Sequence, residues 1–270
     1  MDVNEVPDWK AFEEELKGLR DLYGHKESSP LLFRGQGDSR WKLTTTLERS
    51  GETAMSFLEY YKLVCNEIGP AVQSLAGIDT PEYNAAIGQG FFEQESTLLC
   101  FPPEMAYPYL VYLRHHGFPS PLLDWSRSPY VAAFFAFRDP LVGADKRSIY
   151  VYTETPRGLK GRTVGEPAIH AIGPYVRAHR RHFLQQCHYT TCGEFNVPSH
   201  QWRFASHQLV FDHGHRPGQD LLWRFDLPSE ERVTVLRMLD EHNLNAFSLF
   251  TSEESLLETM WLREHVLKKP

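Results

Sequence analysis

Arg34 and Asp124 are the residues whose settings stand out for chemistry. Arg34 follows an apolar run and precedes Gly-Gln-Gly in LLFRGQGD, and Asp124 follows an apolar pair in LLDWSRSPYVAAFFAF (Leu122–Phe137). A guanidinium presents a planar fork that meets a phosphate with two parallel hydrogen bonds. Gly35, with Gln36 beside it, lets a ligand approach the main chain. A carboxylate near such a ligand stabilises the oxocarbenium-like state formed when a glycosidic bond breaks. The competing explanation needs no ligand: an arginine and an aspartate in otherwise apolar strands pair with each other.

Asp124 has chemically useful neighbours. Trp125 and Tyr130 offer flat faces for stacking, and Ser126 and Ser128 offer hydroxyls. His115, in LRHHGFPSP, suits ribose hydrogen bonding or proton transfer because an imidazole titrates near neutrality. A histidine at a helix end equally satisfies free carbonyls. The run HRRHFLQQCHYTTC holds His179, His182, Cys187, His188 and Cys192. These are zinc-compatible ligand types, but their spacing follows no finger or knuckle, and a polar loop with incidental thiols explains them as well. The predicted site therefore contains no metal.

The elements that must position these groups come next. Ser128-Pro129 is a helix start: serine caps free N–H groups and proline suits the first helical position. A short buried strand thus delivers Asp124 to the edge where an Ala/Phe helix begins. Trp9, Phe12, Leu16, Leu19 and Tyr23 share one face of a helix over residues 8–23, with Asp8 as N-cap and Gly24 as stop. Further helices are predicted within residues 52–76, from 103 to 116, from 229 to about 242, and from 253 to 267, by the same periodicity. Strands are predicted at 31–34, 148–153, 203–213 and 221–227, with HGHRPG as the turn between the last two. Residues 79–103 read as an exposed loop, and 156–182 as a basic one. That order is an α+β arrangement.

Net charge is −7, which argues against coating nucleic acid by bulk charge, though a local basic groove is compatible with it. The basic stretch carrying Arg157, Lys160, Arg162, Arg177, Arg180 and Arg181 is either such a contact or a solvated loop. No apolar run is long enough to cross a bilayer, and the acidic, amphipathic start is unlike a signal peptide. Four cysteines in 270 residues do not make a disulfide scaffold. The expectation is a cytoplasmic protein with reduced thiols and no membrane partner. A Rossmann fingerprint and a nucleophile elbow are both absent.

FRGQGDSRWKLTTTLER (Phe33–Arg49) resembles the opening signature of the FRG domain family. LRHHGFPSPLLDWSRSPYVAAFFAF (Leu113–Phe137) resembles its second, and Leu227-Pro228 followed by a helix and Leu244–Phe250 is a weaker third likeness. The resemblance spans roughly residues 30–250. It implies an FRG domain at 30–252, preceded by an N-terminal helix at 1–29 and followed by a C-terminal helix at 253–270 packed on the same domain. The family's motifs are in turn similar to those of the ADP-ribosyltransferase fold, a split β-sheet core with flanking and inserted helices. That likeness implies NAD as substrate, with Arg34 on its phosphate or ribose. Asp124, Trp125, Ser126 and Ser128 would surround the nicotinamide ribose, with His115 matching the family histidine. The third motif falls in RFASHQLVFDHG (Arg203–Gly214), where Gln208 or His207 starts the strand QLVF. Glutamine stands where that fold carries glutamate; Glu194, Glu166 and Asp212 lie outside the slot. The implied activity is an ADP-ribosyltransferase or NAD glycohydrolase, as in a toxin or anti-phage effector. Its partners would be a protein or nucleic-acid acceptor and an antitoxin. The alternative is a non-catalytic module binding a nucleotide or nucleic acid.

Overall fold

The computed structural model describes residues 2–268, except 53–54, 83–101, 103–105, 141–142, 162, 177–179 and 213–217. The strands are β1 (Asp2–Glu5), β2 (Leu32–Gln36), β3 (Leu123–Ser126), β4 (Lys146–Thr153), β5 (Ala168–Ile172), β6 (Cys187–Asn196), β7 (Gln201–Phe204) and β8 (Leu221–Pro228). The helices run α1 (Trp9–Tyr23), α2 (Thr46–Arg49), α3 (Phe57–Lys62), α4 (Gly69–Ala76), α5 (Tyr107–His115) and α6 (Pro129–Phe137). They continue as α7 (Arg180–Leu184), α8 (His207–Asp212), α9 (Arg232–Glu241), α10 (Ala246–Phe250) and α11 (Glu253–Leu262). The protein is thus a mixed α+β fold with an open sheet. No helix among the described residues is long and apolar enough to cross a membrane.

The sheet order is β1-β8-β4-β2-β3-β6-β5, with β7 also pairing β6. β1 runs parallel to β8, and the other pairs are antiparallel. Five residue pairs join β2 to β4 and four join β3 to β6, but only Phe33 and Ser126 join β2 to β3. The sheet is therefore two well-paired halves meeting at a weak seam.

Alternation of side chains assigns each half its own front core. Phe33, Ile149, Val151, Phe225 and Leu227 pack under α1, α6 and α9. Cys187, Tyr189 and Phe195 pack under α3 and α5. On the back, Leu32, Trp125, Tyr150, Tyr152, Ile169 and Phe211 form one cluster that spans both halves.

Local signals explain the helix ends. Asp8 accepts from Ala11 N at 2.8 Å, and Ser128 Oγ accepts from Val131 N at 3.3 Å, so both predicted caps act as caps. Arg147, almost wholly buried, donates from Nη1 to Ala136 O at 2.7 Å and Asp139 O at 2.9 Å, neutralising the carbonyl end of α6.

Several expectations are corrected. Residues 203–213 are not one strand: β7 ends at Phe204 and α8 follows. His207 and Phe211 are buried on one helical face, a spacing that a short apolar run cannot distinguish from a strand. The region 156–182 contains β5 and the start of α7. β6 occupies the run read as a polar loop, because His188, Thr190 and Thr191 are buried on it rather than solvated. β1 was not foreseen at all. Most of the 79–103 loop and the HGHRPG turn lie outside the described residues.

Candidate functional site

The seam between the halves opens as a cleft of about 700 Å³, lined by Phe33 and Ser126 from the front face and by Arg34 and Trp125 from the back, and within the range of small-molecule sites. β2 and β3 form its floor. Val131, Ala132 and Phe135 of α6 form one wall, while Arg114 and His115 from the end of α5 and Gln185 with Cys187 form the other. Trp41, Lys42, Thr44 and Arg49, from the segment after β2, line it as well.

Arg34 lies opposite Tyr150 in the β2–β4 register, and its guanidinium reaches across the seam. Its Nη1 donates to the main-chain oxygen of Asp124 at 2.8 Å and stands 3.9 Å from the carboxylate Oδ2. Arg114 Nη2 donates to the same Oδ2. Asp124 is therefore held by two guanidiniums. Asp124 Oδ1, Arg34 Nε and Arg114 Nε are buried and make no hydrogen bond.

Cations outnumber anions here. Arg34, Lys42, Arg49, Arg114 and Arg181 face Asp124 and Asp139. Burial pushes the Arg34 guanidinium down to about 10; Asp124 offsets part of that, and Arg114 and Arg49 add repulsion. Burial also lowers Arg49, with Arg114 the next cause. An entering anion relieves both penalties, because it supplies the missing opposite charge.

Gly35 lines the cleft, but its bare Cα serves the helix behind it. A Cβ there would lie 1.9 Å from Ala132 O and 2.7 Å from Ala136 N. Gln36 is buried and donates from Nε2 to Lys42 O at 3.3 Å, tying the segment that follows. Ser126 also lines the cleft; its hydroxyl donates to Gln185 O at 2.7 Å and accepts from Ser128 N at 3.0 Å.

Trp125 lines the cleft while its indole stacks on Tyr152, 5.3 Å between ring centroids, and donates to Thr190 Oγ1 at 2.9 Å. Other predicted residues are placed elsewhere. Ser128 caps α6. Tyr130 is exposed and lies against Trp9 of α1. Gln208 sits on the surface of α8, donating to Asp212 Oδ1 at 2.7 Å, so it does not line the cleft. Glu194 pairs with Arg203.

His115 lies at the cleft edge with Nε2 2.9 Å from Tyr189 Oη. The five-residue His/Cys run does not assemble as such. Cys187 faces the front and His188 and Cys192 the back, by strand alternation, and His179 lies outside the described residues. His182 and Cys187 do converge, and the third member of their group is His115.

Sequence reasoning did not single out Arg114, Arg49 or Lys42. Arg114 carried a readable signal: it is the one formally charged residue of α5, in YPYLVYLRH. Arg181 was noted only as part of the basic stretch, and within that stretch Lys160 is buried against Asp220 at 2.6 Å rather than solvated.

A compact α+β protein with a cationic cleft at a strand seam is the class that this geometry defines. The FRG domain family model matches residues 29–144, a span that contains Arg34, Arg49, Arg114, Asp124 and α6. No curated protein and no solved structure matches the chain.

Proposed function

We propose that the cleft binds NAD through its pyrophosphate and that the protein breaks the nicotinamide–ribose bond, passing ADP-ribose to a macromolecular acceptor or to water. The observation that carries this reading is the convergence of Arg34, Arg49, Arg114 and Arg181 on one cleft, in a chain of net charge −7. Guanidiniums in such surplus match a polyphosphate better than a neutral ligand. The seam between β2 and β3 accords with the split sheet of ADP-ribosyltransferases, to which the family's motifs are similar.

In this reading the C1′–N bond breaks with its electron pair leaving on nicotinamide. Asp124, fixed between two arginines, opposes the positive charge that develops on the ribose. The acceptor oxygen or nitrogen then adds at C1′ and gives up its proton to solvent. Arg34 and Arg114 position the carboxylate and contact phosphate oxygens.

One observation favours a second reading. Gln208 is remote from the cleft, and among the described residues the acids lining the cleft are Asp124 and Asp139. Where neither these acids nor His115 takes the proton of the incoming group, the cleft holds a nucleotide and does no chemistry.

Calorimetry with NAD, together with chromatography for released nicotinamide, separates the two. The catalytic reading expects binding and turnover, both abolished by Arg34→Ala. Binding without turnover selects the nucleotide-binding module. No binding of NAD ends the catalytic reading and leaves a module for another nucleotide or a nucleic acid.

A further inference from the structure

We propose that His115, His182 and Cys187 form a binding site for a thiolate-accepting divalent ion, zinc being the best match, on the inner wall of the cleft. The three residues come from the end of α5, from α7 and from the first position of β6, so the fold rather than the sequence brings them together. Their donor atoms all lie within 4.8 Å of one another.

The arrangement has an outer bond that orients it. His182 is buried, and its Nε2 lies 2.7 Å from Pro174 O. A carbonyl can only accept, so that nitrogen carries the hydrogen and Nδ1 presents its lone pair inward. A ligating imidazole almost always donates its other N–H to a carbonyl or carboxylate in this way. Tyr189 Oη stands 3.2 Å from that Nδ1 and 2.9 Å from His115 Nε2, marking the point on which both rings are aimed.

Ligand chemistry decides which ion fits. One thiolate and two imidazoles suit zinc and its softer neighbours, and exclude magnesium and calcium as preferred occupants. Donors around tetrahedral zinc stand about 3.3–3.7 Å apart, from bond lengths of about 2.0–2.3 Å. The present spread closes by roughly 1 Å on binding, a shift that the half-buried His115 at its helix end permits. Binding takes the proton from the Cys187 thiol and releases it to solvent. His115 and Cys187 also line the cleft, giving the ion an entry path, and the Tyr189 hydroxyl, already beside both rings, stands where a fourth donor would bind.

The test is cobalt(II) added to the intact, chelator-washed protein, both directly and during refolding from urea. The expected result is one equivalent bound, with the strong visible absorption of tetrahedral cobalt and a near-ultraviolet thiolate band, both displaced by zinc. Cys187→Ser removes the thiolate band, and His115→Ala weakens cobalt binding at least tenfold, while both keep the far-ultraviolet circular dichroism of the parent. Absence of the spectrum under both conditions overturns the proposal, as does a thiolate band that survives in Cys187→Ser. The measurement uses no NAD, so its failure and that of the NAD reading are separate.

Discussion

Arg34 reaches the main-chain oxygen of Asp124 at 2.8 Å but stands 3.9 Å from its carboxylate, which Arg114 holds instead. The two roles of Asp124 are therefore separable. Asp124→Asn keeps the main-chain acceptor and removes only the charge. With the carboxylate one-third exposed, the loss costs about 2 kcal/mol after discounting for solvent. We expect NAD affinity to hold or rise, because the cleft loses its competing anion, while nicotinamide release falls at least 100-fold. Turnover that persists in Asp124→Asn makes the residue a counter-ion alone.

Gly35 is irreplaceable for packing rather than for ligand approach. Gly35→Ala drives a methyl into the main chain of α6 and should cost more than about 3 kcal/mol, seen as a lowered urea midpoint. Gly173→Ala is the control: nothing lies within 4 Å of its added carbon, and its midpoint should scarcely move. Equal effects from the two would refute the close contact.

Thr190 joins two buried rings. Its Oγ1 accepts from the Trp125 indole at 2.9 Å and is also hydrogen-bonded to His207 Nε2 at 2.9 Å. Thr190→Val strands both, at about 2–4 kcal/mol, with a shift in tryptophan emission. NAD affinity should change less than twofold, since packing against Tyr152 still holds the Trp125 ring at the cleft. A large loss of affinity would mean that Trp125 touches the ligand.

Acid should unfold the protein through buried neutral histidines. Burial holds His207 down at about 3, with Arg34 the next cause, and holds His188 at about 4, with Arg127 next. The unfolded chain protonates both near 6.5, so below that pH it binds more protons and stability falls. Each ring contributes about 1.4 kcal/mol per pH unit, of order 3–4 kcal/mol together by pH 5. His207→Gln should flatten urea stability measured from pH 7 to 5; an unchanged slope contradicts the assignment.

Legibility followed the physics of each segment. The α1 face and the Ser128-Pro129 start were readable because periodicity and caps act locally. The presence of Arg34 and Asp124 in one cleft was inferred from likeness of motifs, since nothing local reports a seam between strands 90 residues apart. β6 was missed because its threonines and histidines are satisfied by partners distant in sequence, such as Trp125 and His207. Gln208 was misplaced because QLVF is too short for either period to declare itself. His115 was picked out for ribose or proton transfer, and its convergence with His182 and Cys187 could not be read from positions 67 and 72 residues apart.

Because α6 walls the cleft with Val131, Ala132 and Phe135 while Ala133, Phe134, Ala136 and Phe137 lie in the core, it cannot yield to a ligand alone. Its amides should exchange with deuterium only when the whole sheet-and-helix unit opens. Whatever the cleft holds should register instead along residues 37–49 and at the α5 end carrying Arg114 and His115, so occupancy will be heard at the rim while α6 stays silent.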